Sequence, residues 1–186
     1  MIVPILATVL CGLLFVIEKV TPWRRKFKTA KDWDKGSSKA IKLASAIVPI
    51  GIAIGFTSVG RVQTGRGIIA TSGICLAFIG VTIRWRAIHT LKNYFTLNVT
   101  ILDDHQIVKS GLYRNIRHPS YTGFLLRYLG GGLAFANWLS LIIIFLPMLA
   151  AILYRIMVEE SALIEAFGSE YIDYASRTKR LVPKVY

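Results

Sequence analysis

The chain has 186 residues, of which 54% are hydrophobic, and carries a formal net charge of +13. Its mean hydropathy of +0.53 is too high for a soluble domain of this length, and its pI is near 10.0. Apolar spans joined by basic loops satisfy both facts. A soluble nucleic-acid binder does not, because its basic residues would line one face of a soluble fold.

A membrane span needs about 20 predominantly apolar residues. Five stretches qualify: 2–20, 41–59, 67–88, 121–137 and 138–157. The first has no basic residue before it and no small-x-small site after it, so it reads as a retained helix and not a cleaved signal. Basic residues follow it: residues 19–42 hold nine Lys or Arg against two acids, Asp32 and Asp34. The 60–66 loop holds only Arg61 and Arg66, while the 89–120 segment and the C-terminal tail are basic again. Lys and Arg favour cytoplasmic loops, so the pattern predicts the N-terminus outside and the C-terminus inside. The 19–42 cluster then serves topology and attraction to anionic lipid.

The fourth and fifth stretches share almost no loop and predict a tight antiparallel hairpin. Its tip is Ala136, Asn137 and Trp138, with Trp138 at an interface. Gly130, Gly131 and Gly132 fall within the fourth stretch and predict close helix approach. They form no phosphate loop, since no strand precedes them and no Gly-Lys-Ser/Thr follows. Pro147 predicts a kink in the fifth stretch. Cys11 and Cys75 read as small buried hydrophobes, and His89, His105 and His118 lack metal-ligand spacing.

The segments on the inside carry the polar chemistry. Residues 95–102 are β-branched and aromatic, and read as extended; 106–113 read as a second short extended piece with a Ser-Gly turn at Ser110 and Gly111. Pro119 suits the first turn of a helix, whose amides favour anionic groups. After the fifth span, Leu163, Ile164 and Phe167 predict an amphipathic continuation that packs inward, ended by Gly168, with a short helix over 170–176. Arg155 and Glu159 stand four residues apart, on one helical face. By itself that spacing is equally a surface ion pair or a snorkelling arginine.

Five runs, in order, change that balance: HQIVKSGLY at 105–113, RHPSYTG at 117–123, EESAL at 159–163, FGSEYIDY at 167–174 and RLVP at 180–183. With the tight hairpin before the Glu pair, they resemble the isoprenylcysteine carboxyl methyltransferase family of membrane methyltransferases. The first hundred residues agree with it in hydropathy alone. The resemblance implies an all-α integral membrane domain, 1–186, of five transmembrane helices with a cytoplasmic cofactor pocket. It implies S-adenosyl-L-methionine as cofactor and no metal. His105, Gln106, Ile107, Val108, Tyr113, His118, Pro119, Ser120 and Tyr121 would line the cofactor pocket, and Glu159 would contact the cofactor's amino group. Arg155 would contact the substrate carboxylate, with Arg117 and Glu160 at further catalytic motif positions. The implied substrate is a lipophilic acid that enters from the bilayer, such as a prenylated cysteine. Methylation of a lipid amine is the alternative, with His118 or Glu160 as base. An NADPH-dependent sterol-type reductase and a non-catalytic scaffold are readings of other classes; the reductases are longer, with more spans.

Overall fold

The computed structural model describes residues 30–186 except Leu97, 103–105 and Lys184, together with Ile5, Thr8, Val9 and Gly12. The expected first span, Cys11 and His105 therefore lie outside the described residues, apart from those four helical positions. A short strand β1 (Ala30–Asp32) leads into helix α1 (Ser37–Gly55). Helix α2 (Arg66–Leu91) follows, then strand β2 (Thr100–Leu102), helix α3 (Pro119–Ala134), helix α4 (Trp138–Phe167) and helix α5 (Ser169–Arg177).

The architecture is mostly helical, and the all-α expectation is corrected by one small sheet. β1 pairs antiparallel with β2, Lys31 opposite Ile101. Among the described residues of the expected extended run at 95–102, only the last three are strand. The second expected extended piece is corrected in part: its Ser-Gly turn is present, but no strand precedes it. Residues 106–109 join no sheet, and Gly111–Arg114 wind into a 3-10 turn closed by Tyr113 N–H donating to Ser110 O at 3.1 Å. Gly111 sits at φ +60°, a conformation that ends extended backbone and that glycine adopts freely.

Among the described residues, three helices are long and apolar enough to cross a membrane: α1, α2 and α4. α3 has 16 residues, about 24 Å at 1.5 Å each, which is short of a hydrocarbon core of about 30 Å. α4 has 30 residues and continues unbroken through Pro147 and past the expected end of the fifth span. Its extra turns carry Glu159 and Glu160 beyond the apolar stretch.

α3 packs between α2 and α4, and α1 packs against α4. The α2–α3 seam is built from small residues. A Cβ on Gly80 would lie 2.6 Å from both Arg127 N and Gly123 O, and one on Gly73 would lie 2.7 Å from Gly130 O. The glycine run is buried, as close helix approach requires. α1, α3 and α4 share a core of Ala44, Leu125, Met148, Ile152 and Ile156. Cys75 departs from expectation: it is exposed on α2, since the buried face of that helix runs through Gly73, Ala77 and Gly80. Ile164 also departs, at 45% exposure, because the inward face of the last α4 turns follows Val158 and Ala162, which pack on Val99.

The hairpin tip is pinned. The Asn137 side chain accepts from Ser140 N–H at 3.0 Å and donates to Val59 O at 2.8 Å, and Ser140 Oγ donates to Gly51 O at 2.8 Å. This fastens α4's start to the loop after α1. The opposite end of the bundle is left for the polar groups.

Candidate active site

At that opposite end the start of α3 and the polar turns of α4 face each other. His118 is the residue before α3, and Pro119 is its first helical residue, where a missing N–H costs nothing. The chain is brought there by the tail. Arg117 N–H donates to Lys179 O at 2.7 Å, and His118 N–H to Arg180 O at 3.0 Å. Thr122 Oγ1 donates to Leu181 O at 2.7 Å. The tail therefore holds the start of α3 in place, which explains why motifs at 117–123 and 180–183 belong together.

The central feature is a chain of three side chains. Arg155 Nε donates to Tyr121 Oη at 2.8 Å, and that hydroxyl donates to Glu159 Oε2 at 2.5 Å. Arg155 and Glu159 are one α4 turn apart and are linked through a phenol 34 residues upstream in the sequence. Both bonds are charge-assisted, hence short and strong. Arg155 is only 3% exposed, so its cation requires compensation, and Asp34 supplies it with Oδ1 3.0 Å from Nη1. Asp34 stands just before α1. Partial burial pushes its carboxyl up, yet the Ser38 N–H and hydroxyl, the Ser37 hydroxyl and Arg155 outweigh this and hold it at about 2.

Glu160, on the next residue of α4, faces elsewhere. It receives Arg117 Nε at 2.8 Å and Arg180 Nη2 at 2.7 Å, with His118 Nε2 at 3.3 Å. Arg117 also donates through Nη1 to Ala175 O at 2.8 Å and to Thr178 O. These are the bonds of a clasp joining α4, α5 and the tail.

A cleft opens beside these groups. Its empty space, counted together with its open mouth, is about 870 Å³. Of the expected cofactor residues, Gln106, Ile107, Val108, Tyr113, His118, Ser120, Tyr121 and Glu159 line it, and so do Arg155 and Arg117. Pro119 and Glu160 stand behind the lining; Pro119 is buried in the first turn and Glu160 in the clasp.

Further lining residues were not visible as such in the sequence. Tyr94, Phe95, Asn98 and Val99 enter from the segment after α2, and Tyr171 and Tyr174 from α5. The two α5 tyrosines are three residues apart, a spacing that puts them on one helical face and could have pointed to them. Tyr174 Oη donates to Tyr113 O at 2.7 Å, which docks α5 on the 3-10 turn. Burial pushes the Tyr174 phenol up to about 12, against the opposing pull of Arg117. Burial likewise raises Tyr113 well above the ordinary phenol range. Both remain neutral at physiological pH and act as hydrogen-bonding groups, not bases. Asp34, Ser37 and Ser38 were missed because the basic run around them masks a local acid-and-serine turn.

The fold and this site define a class of protein: a helical integral membrane protein whose polar groups are gathered in a cleft at one end of its bundle. Within that class the comparisons are specific. The profile of the isoprenylcysteine carboxyl methyltransferase (ICMT) family matches residues 73–165, half of the chain, and the chain belongs to that family. The protein-S-isoprenylcysteine O-methyltransferase of Saccharomyces cerevisiae is 38% identical over 113 residues, covering 60% of this chain and 47% of the yeast protein. The Arabidopsis thaliana protein-S-isoprenylcysteine O-methyltransferase B is 34% identical over 119 residues, covering 63% of this chain and 60% of the plant protein. A solved structure of the eukaryotic intramembrane Ras methyltransferase ICMT aligns with a TM-score of 0.56 at 26% identity, covering 81% of this chain and 50% of the other. The chain thus spans about half to three-fifths of the length of these relatives.

Proposed function

We propose that this protein is an S-adenosyl-L-methionine-dependent methyltransferase that esterifies the carboxylate of a lipophilic acid of the prenylcysteine type. The observation that carries the reading is the buried Arg155, joined through Tyr121 to Glu159 within one cleft. Family membership supplies the reaction class.

The donor set fits the cofactor. Glu159 keeps acceptor capacity after its bond to Tyr121, since a carboxylate has about four lone-pair sites, and this suits an amino group. The start of α3 beside His118 favours a carboxylate through its aligned amides. Tyr113, Tyr121 and Phe95 offer aromatic faces for a flat base or a cationic sulfonium. When bound, the cofactor supplies an electrophilic methyl group.

The work of the protein's own residues is then positional. A C-terminal-type carboxylate has an intrinsic pKa of about 3.5 and is ionised at neutral pH, so no base is required. Arg155 binds it through a charge-assisted hydrogen bond, which a guanidinium gives a carboxylate. The cleft walls exclude water from the carboxylate oxygens. Positioning of this kind supplies roughly 7–11 kcal/mol in favourable cases. Arg117 and Glu160 hold the α4–α5–tail clasp that keeps the cleft's shape.

The five-span arrangement, with the N-terminus outside and the site cytoplasmic, is part of the same proposal, as is a lipid tail entering from the bilayer beside α3 and α4. What supports them is the distribution of basic loops and three helices of spanning length.

The test is a labelled-methyl transfer assay in membranes with S-farnesylcysteine acid, a phosphatidylethanolamine and a tail-less cysteine thioether acid side by side. Transfer to the farnesyl acid alone is expected. Transfer to the amine lipid would reverse the assignment, and equal transfer to the tail-less acid would remove the bilayer route. Arg155→Ala and Glu159→Ala should each abolish transfer while expression is retained.

A further inference from the structure

We infer that Asp34 is a positioning residue that fixes the plane of the Arg155 guanidinium for the substrate carboxylate, with Ser37 and Ser38 holding Asp34 in place. The inference rests on the role proposed above for Arg155. It concerns a segment upstream of residues 73–165, the part matched by the family profile.

Arg155 is held at two nitrogens by two different parts of the chain. Nε donates to Tyr121 Oη at 2.8 Å, from α3. Nη1 donates to Asp34 Oδ1 at 3.0 Å, to Ser38 Oγ at 3.0 Å and to Ser37 Oγ at 3.1 Å, from the turn that opens α1. Bonds at two nitrogens of a planar group define its plane. The directions of its N–H groups follow from that plane, so its orientation decides where a carboxylate is met.

Asp34 is itself immobilised. Ser37 Oγ donates to its Oδ1 at 2.9 Å, Ser38 Oγ to the same oxygen at 2.8 Å, and Ser38 N–H to Oδ2 at 3.0 Å. Its side chain is 13% exposed and that of Arg155 is 4% exposed, so the pair is little screened by solvent. The Asp34 oxygens are consumed within the turn and by Arg155. They brace the guanidinium and do not compete for the cleft. The turn is braced in addition by Tyr154 Oη donating to Lys35 O at 2.8 Å, one residue before Arg155 on α4.

Bracing of the turn by Asp34 is separable from this role. The side-chain oxygen of Asn can still accept from Ser38 N–H, so Asp34→Asn keeps that bond and removes the charge. The experiment uses the full chain in phospholipid vesicles with S-farnesylcysteine acid and S-adenosyl-L-methionine, each varied in turn, below the melting transition of every variant. Asp34→Asn is expected to lower kcat/KM for the acid about ten-fold or more, as for loss of a charged hydrogen bond, with the KM for the methyl donor unchanged. Wild-type acceptor kinetics in Asp34→Asn, alongside an inactive Arg155→Ala, would overturn the inference and leave the proposed function standing. A parallel fall in donor and acceptor parameters would also overturn it, since that is what general distortion does. An active Arg155→Ala would remove the underlying reading and this one together, so the two failures are told apart by which variant keeps its activity.

Discussion

Tyr121 carries two charged partners on one oxygen, accepting from Arg155 and donating to Glu159. Tyr121→Phe leaves a buried Arg155 N–H without that acceptor, at a cost of about 1–3 kcal/mol. The expected result is a lowered melting temperature in detergent together with a raised KM for the methyl donor, because Glu159 loses its orientation. Glu160 presents a contrast of magnitudes. It is buried between Arg117 and Arg180, and Glu160→Ala should cost about 3–5 kcal/mol, since it leaves charges unpaired; the measurement is detergent unfolding. The Lys109–Glu170 pair is as short, at 2.7 Å, but its side chains are 48% and 59% exposed. Lys109→Ala should change stability by at most about 1 kcal/mol. At this scale the sequence was legible where partners lie on one helix. The four-residue spacing of Arg155 and Glu159 put them on one face, but Tyr121 between them comes from α3, and the Asp34 contact from the start of α1. Such bonds depend on how elements pack, which no local pattern encodes.

At the scale of elements, the α2–α3 seam is the joint that presents His118, Ser120 and Tyr121 to the cleft. Arg84 Nη1 on α2 donates to Ser120 Oγ at 2.8 Å, so the seam also fixes a cleft-lining residue directly. Gly80→Leu cannot be absorbed, because even a Cβ there would lie 2.6 Å from the backbone of α3. Loss of folded protein is expected, read as aggregation or absent monodisperse yield in detergent. Gly67→Leu, where nothing lies within 4 Å, should be tolerated. The glycine run at 130–132 signalled this seam in the sequence, because a membrane interface rewards small residues. The turn at Ser110 and Gly111 was legible from its Ser-Gly pair, but its continuation as a 3-10 turn to Arg114 was not, because Tyr174 docks on it from α5 and such a contact between elements leaves no local pattern.

Across the whole molecule, α1 to α4 separate two ends: a pinned hairpin tip and a polar cleft that draws on residues from 34 to 181. The expected order of apolar stretches survived in α1, α2 and the α3–α4 hairpin, since hydropathy over about 20 residues reports membrane burial directly. The β1–β2 pairing did not show, because three-residue strands joined across some 70 residues leave no periodic signal. Asp34 ties the start of α1 to α4 and gives the assembly a pH signature. Its carboxyl lies at about 2 against an ordinary 3.8, so its stabilising contribution is fully present above 3.8 and is lost as pH falls towards 2. Wild type should therefore unfold at a higher temperature than Asp34→Asn at neutral pH, and the gap should close as a detergent-melting series is taken down through that window.

The central claim is that this cleft methylates a carboxylate presented to Arg155. Purified protein in vesicles, supplied with methyl-labelled S-adenosyl-L-methionine and S-farnesylcysteine acid, tests it most directly, with the product treated with mild base. The account predicts base-labile label released as methanol by wild type and none by Arg155→Ala. Base-stable label, or equal base-labile label from both proteins, would contradict it.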